Sequence, residues 1–250
     1  MLLRPDGDAV VAIGQASHAW VSGQLARAWG NDRFPAPEPR DEVCLGAEQH
    51  DVGMARWDLA PGLNPRTGRP FQFFEMPRRT HVALWSAAPE NLLTQSRYAA
   101  LLVSLHGTGL YERFPPREDD PEVLALVHRY LDTQRALQER LAAELGAGWD
   151  ELRRNQALLA AWDDLSLALC LDTTEREVPD VPAAGGASTA LRLTRHAEHH
   201  TLDPWPFARD EVELRCEGRR LEGRFEDEPA LHAALDRAPR VDVRFTVRAA

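Results

Sequence analysis

The sequence predicts a mainly α protein, a helical bundle with a small β element formed by an N-terminal hairpin and C-terminal strands. Three observations lead there. Apolar residues recur at helical spacing through most of the stretch from residue 15 to 171, whereas both ends alternate with period two. Prolines gather between the periodic stretches, at 31–40, 59–79 and 178–188. At 250 residues, 44% hydrophobic and 27% charged, the chain is long enough to bury a substantial core. We divide it into a helical domain over 1–175, which includes the hairpin, and a linker with a small β appendage over 176–250, packed on the same domain.

Taken in order, MLLRPDGDAVVAI reads as two short strands around a Pro-Asp-Gly turn. In QASHAWVSGQLARAWGN, His18, Val21, Leu25 and Trp29 share a helix face, and Gly30-Asn31 stops it. Asp41 can cap a second helix, EVCLGAEQHDVGMARW, with Val43, Ala47, His50, Met54 and Trp57 on one face. Residues 59–79 carry four prolines and three aromatics and read as a long ordered loop, a type often used for function. Helices follow over about 80–113, with a break at Pro89, then over 121–146 and 149–171. After the linker VPDVPAAGGAS, the segments ALRLTRH, EVELRCEG and VDVRFTVR alternate as strands.

Composition excludes several functions. A formal net charge of −10 argues against nucleic acid or anionic membrane surfaces as partners. All 29 basic residues are arginine, so neither a P-loop nor a lysine Schiff base can be built. Cys44, Cys170 and Cys216 are far apart and form no C-x-x-C, which disfavours structural disulfides and thiolate zinc. No apolar run is long enough for a membrane span, and no basic start precedes an apolar stretch, so a cytoplasmic location is expected.

G-x-S-x-G, H-E-x-x-H and a glycine-rich dinucleotide loop are all missing. Histidine remains. His18, His50, His81 and His106 each sit among apolar residues at helical spacing. One such histidine is ordinarily a core residue bonded to a carbonyl. Four on four helices suggest ligands projected into a bundle, where imidazole and carboxylate suit Fe, Mn, Zn or Ni. Asp51, beside His50, could bridge two ions. On the 149–171 helix Asp163 lies roughly 65° from the centre of the apolar stripe and Asp164 roughly 165°, so Asp163 is expected inward and Asp164 in water. Arg56, Arg66, Arg69, Arg78 and Arg79 flank this constellation, and Arg78 and Arg79 are the candidates for gripping an anionic substrate. The histidines of RHAEHH, His196, His199 and His200, fall in the β tail and are not expected to bind metal.

The order His18, His50-Asp51, His81, His106, Asp163 resembles the HD superfamily, whose signature is H…HD…D on successive helices, over about residues 10–172. The extra histidines resemble its two-metal members, among them dinuclear phosphodiesterases and inositol-oxygenase-type di-iron enzymes. The resemblance implies an HD-domain-like helical bundle holding one or two divalent transition-metal ions. His18, His50, Asp51 and Asp163 would hold one ion, and Asp51, His81 and His106 the other. It implies a metal-dependent phosphohydrolase acting on a small phosphoester or nucleotide, with Asp51 in the catalytic role. A di-iron oxygenase and a non-catalytic binding protein with a structural metal are the alternatives. At closer range QASHAWVSGQLARAW, AEQHDVGMARWD, YAALLVSLHGTGL, WDDLSLALC and DPWPF are similar to a bacterial family known only as a domain of unknown function, number 3891. Substrate, metal and oligomeric state stay open.

Overall fold

The computed structural model describes residues 1–115 and 120–250. Helix makes up about 51% of it and strand 23%, and the strands build a curled, seven-stranded half-barrel. This overturns the mainly α class and the HD-like bundle, because the helices share the architecture with a seven-stranded sheet. The strands are β1 (Leu2–Asp6), β2 (Ala9–Ile13), β5 (Glu175–Pro182), β6 (Ser188–Arg195), β7 (His200–Asp203), β8 (Glu211–Leu221) and β9 (Arg240–Ala249), in the spatial order β1-β2-β8-β9-β7-β6-β5. A separate two-stranded ribbon, β3 (Leu63–Asn64) with β4 (Arg69–Pro70), lies inside the proline-rich segment. Among the described residues only β7 with β9 is parallel; the other pairs are antiparallel.

The linker expectation failed at β5 for an identifiable reason. Proline in EREVPDVP reads as a strand breaker, yet β5 is the sheet edge, where a missing N–H costs little. A register shift between Val178 and Val181, with Asp180 at φ 56°, lets both valines face inward, opposite Leu191 and Thr189. The tail also holds a helix that its strand-like flanks conceal, α8 (Glu228–Arg237), capped by Asp227 at the N–H of Ala230. Leu231 and Leu235 of α8 pack with Val10, Ala12 and Leu221 on the sheet's other face.

The remaining helices are α1 (Gln15–Ala28), α2 (Arg40–Gln49), α3 (Ala55–Leu59), α4 (Arg78–Ala87), α5 (Arg97–Arg113), α6 (Pro121–Leu145) and α7 (Trp149–Cys170). Val21 and Leu25 of α1, Trp29 just after it, and Leu158, Trp162 and Leu169 of α7 share one core with Leu193, Phe207, Leu214 and Phe245 of the sheet side. Trp29 stands edge-on to Trp162 and Phe207, with ring centroids 5.7 and 5.6 Å away. Cys170 and Cys216, one on α7 and one on β8, are free thiols 3.9 Å apart.

The expected single helix over 42–57 is broken. α2 ends at Gln49, Asp51 sits at φ −102°, ψ 18°, and a 3-10 turn over Val52–Met54 leads into α3. Gly53 fits this break because a Cβ there would lie 2.4 Å from the carbonyl oxygen of Leu84 on α4. The consequence is functional. Consecutive helical residues point about 100° apart, whereas the kink lets His50 and Asp51 converge. Among the described residues no helix is long and apolar enough to cross a membrane.

Candidate metal centre

Five side chains from four segments meet in the interior. His18 comes from α1, His50 and Asp51 from the end of α2, His106 from α5 and Asp163 from α7. All five are at most 9% exposed. His18 Nε2 lies 2.7 Å from Asp51 Oδ2, and its Nδ1 lies 2.9 Å from Ser166 Oγ. Asp163 Oδ1 lies 3.3 Å from His50 Nε2, and Asp163 Oδ2 lies 3.5 Å from His106 Nε2. The His50 ring stands edge-on between His18 and His106, with centroids 5.1 and 5.0 Å away. One ligand atom from each of His18, His50 and Asp163 falls within 4.8 Å of the other two, close enough to hold a metal ion.

The proton on His50 can be placed by elimination. Its Nδ1 lies 2.8 Å from the Ala47 carbonyl, which can only accept, so Nδ1 carries hydrogen. In the neutral ring Nε2 is then a bare lone pair, and it faces carboxylate oxygens of Asp163 at 3.3 Å and Asp51 at 3.7 Å. Lone pairs confront lone pairs unless a cation lies between them. Among the described residues neither His50 Nε2 nor His106 Nε2 has a hydrogen-bond partner, although both are buried. Unpartnered buried acceptors are costly. Two buried carboxylates with neutral imidazoles carry a charge of −2, which one divalent ion would cancel. Borderline N and O donors of this kind suit first-row transition metals.

Without a metal, a proton must do that work. Burial opposes the charged form of His50, but Asp51 and then Asp163 outweigh it and raise the imidazole to about 9. The carboxylates answer in kind. Burial would raise Asp51, yet His50 and His18 hold it below its ordinary value. Burial likewise opposes ionisation of Asp163, and His106 and His50 bring it well below the usual carboxylate range.

The cluster forms the inner wall of a 780 Å³ cavity, reached by His18, Asp51, His106 and Asp163, while His50 stands behind them. The structure does not bring His81 into the cluster. It lines the cavity, but its Nε2 accepts from Trp85 Nε1 at 3.2 Å, so Nδ1 must donate to Tyr111 Oη at 2.6 Å. Burial and the neighbouring Arg78 lower His81 to about 4. Arg78 is on the cavity wall, with its guanidinium 5.7 Å from the Tyr111 ring. Arg79 points away and pairs with Glu122 at 2.8 Å and Asp120 at 3.6 Å.

Asp164 differs from expectation. Rather than facing water it is 6% exposed and takes a bidentate grip from Arg176, at 2.8 and 3.0 Å. A helix wheel sees only the helix's own stripe, and the strand that covers the other side of α7 is β5, where Arg176 sits. Gln15, which donates to Asp51 Oδ2 at 3.1 Å, was also missed. Its place three residues before His18 on the same helix face could have revealed it. In the tail, His196 and His199 stack at 4.8 Å, and His200 is buried with both ring nitrogens unpartnered among the described residues. None of the three lines the cavity.

Fold and site together define an α+β protein whose half-barrel sheet and helices enclose a carboxylate–imidazole centre at the end of a cavity. The chain belongs to a family described as protein of unknown function (DUF3891), whose model matches residues 1–223. No curated protein and no solved structure matches it.

Proposed function

We propose that the protein is a metal-dependent hydrolase of small organic phosphoesters. One observation carries the reading: two buried carboxylates and three imidazoles gather at the inner end of a cavity whose wall also presents Arg78, Arg113, Arg153 and Arg176. His18, His50 and Asp163 would hold a divalent ion, with Asp51 and His106 beside them. Such an ion supplies Lewis acidity toward a phosphoryl oxygen and makes water acidic enough to attack near neutral pH.

The chain's own residues do the rest. Oδ2 of Asp51 accepts from Gln15 and lies 2.7 Å from the His18 ring nitrogen Nε2, so Oδ1 is the oxygen left to orient a water and accept its proton. Arginine on the cavity wall binds the phosphoryl oxygens, and its planar fork suits them bidentately. Hydrolysis adds hydroxide to phosphorus, breaks the ester P–O bond and returns a proton to the departing alcohol. Trp85 and the buried Met54 and Met76 keep bulk water from the inner end.

Protein purified without an affinity tag is to be analysed for metals and assayed with p-nitrophenyl phosphate, with and without Mn²⁺ or Zn²⁺. Chelator-sensitive release of p-nitrophenol, reduced at least ~100-fold in Asp51→Asn, is expected from the loss of a positioned base. A metal-loaded protein that hydrolyses no phosphoester, while its iron form shows an absorption band responding to dithionite and O₂, would replace this reading with oxygenation.

A further inference from the structure

The cavity is far larger than a phosphate group needs, and its walls say what fills the remainder. At 780 Å³ it falls in the range of sites for drug-sized organic ligands. Met54, Met76, Trp85, Leu110 and Leu167 form its sides, and Phe73, Phe74 and Phe114 continue that surface outward. Phe74 and Phe114 are 63% and 59% exposed, and both line this cavity, where they put two phenyl rings in water side by side with its apolar walls.

The polar groups among these walls are largely engaged by the protein itself. Gln156 Nε2 donates to the Leu105 carbonyl at 2.7 Å, and Gln15 Nε2 donates to Asp51. Trp85 Nε1 donates to His81, whose other nitrogen serves Tyr111. Asp164 is held by Arg176. Reading a ribose and a base requires several donors and acceptors that are not already spent, and of the residues lining this cavity beyond the metal centre, Gln15 Oε1 is the buried acceptor without a partner among the described residues. Cationic groups are better provided. Arg113 lies over the Phe114 ring at 5.3 Å and has no carboxylate partner among the described residues, so positive charge and exposed aromatic surface form one unit.

We propose that the cavity takes an anion carrying a large apolar group, an alkyl or aryl phosphoester rather than a nucleotide, with Phe74 and Phe114 covering the apolar part and Arg113 drawing in the charge. This rests on the hydrolase reading for its reacting end, but the walls stand independently of it.

The test is calorimetric binding of methyl-, butyl- and hexylphosphonate, and of adenosine monophosphate, to the full chain with and without Mn²⁺. Full burial of a methylene is worth about fourfold in affinity, and half of that in free energy about twofold, so hexylphosphonate should bind at least ~30-fold tighter than methylphosphonate. The slope should appear with and without metal, because the walls are not metal ligands. Phe74→Ser and Phe114→Ser alter exposed side chains, so they should keep the parent melting temperature and methylphosphonate affinity while flattening the slope. Arg113→Gln should weaken every member by a similar factor. Affinity independent of chain length, an unchanged slope in both phenylalanine variants, or tighter binding of adenosine monophosphate than of hexylphosphonate would overturn the inference. A steep slope without release of phosphate from hexyl phosphate would leave it standing and remove the hydrolase reading instead.

Discussion

Replacing Asp163 by asparagine keeps the side chain's shape and removes one of the two charges that face His50. The lost oxygen charge lies 3.3 Å from His50 Nε2, 3.5 Å from His106 Nε2 and 3.9 Å from His18 Nδ1. A unit charge pair at about 4 Å is worth on the order of 4 kcal/mol at an effective dielectric constant of about 20. Lost from a metal site, that is close to a 1000-fold drop in affinity. A parent protein bathed in metal at ~1000 times its Kd gains about 4.1 kcal/mol of stability. For a chain of this size that amounts to roughly 8–16 °C in Tm, at about 2–4 °C per kcal/mol. Competition against a chromophoric chelator gives the affinity, and melting with and without EDTA gives the stabilisation. Asp163→Asn should lose nearly the whole chelator-sensitive shift. Asp164→Asn is the control, since its charge is committed to the half-exposed Arg176. It should cost no more than about 1 kcal/mol and keep metal affinity within about threefold of the parent. Equal losses in both variants, or a parent whose Tm ignores EDTA, would refute the assignment of Asp163.

Two further outcomes follow from the same geometry. A metal needs neutral His50, so apparent affinity should rise about tenfold per pH unit until the ring's value near 9 is passed, as read from metal titrations at fixed pH. In EDTA the sign reverses. A raised histidine contributes stability that is full below 6.5 and lost as pH climbs through about 9, on the order of 3 kcal/mol, so Tm should fall across that window. Gly53→Ala would drive a Cβ to 2.4 Å from the Leu84 carbonyl oxygen, costing ~1–3 kcal/mol in urea unfolding, whereas Gly148→Ala meets open space and should cost under about 0.5 kcal/mol. Equal midpoints for the two glycine variants would show that α4 yields freely.

The candidate site was more legible than the fold. Histidines among apolar residues at 3.6-residue spacing mark an inward direction without knowledge of topology, which is why His18, His50, His106 and Asp163 could be singled out and do lie together. What a local pattern cannot supply is the neighbour across the helix. Asp164 was assigned to water because nothing on α7 itself covers that face, and the covering residue, Arg176, lies on β5, a strand disguised by Pro179. His81 shared the same apolar spacing, but Trp85, one turn later on its own helix, takes its Nε2. The sheet was underestimated for a related reason. β2 and β8 pair over more than 200 residues of separation, for instance Val10 with Leu221, and nothing local distinguishes a hairpin that stays alone from one that opens a seven-stranded sheet.

The spacing of the donors bears on how many ions the centre holds. Ligands about 2.1 Å from a metal stand roughly 3.0 Å apart in octahedral and 3.4 Å apart in tetrahedral geometry. The Asp163 contact to His50, at 3.3 Å, falls there and the one to His106, at 3.5 Å, lies just beyond, and both are longer than the ~2.7–2.9 Å of a charge-assisted hydrogen bond. Only His18 with Asp51, at 2.7 Å, has the length of an ordinary strong hydrogen bond. A second ion would need His81, and both of its ring nitrogens are engaged, one by a donor that cannot be turned into an acceptor. One ion per chain is therefore expected. Elemental analysis and titration should give a stoichiometry near one for the parent, and His81→Ala should give the same value with unchanged affinity. Two tightly held equivalents in the parent, falling to one in His81→Ala, would mean that Trp85 and Tyr111 release His81 to a second metal.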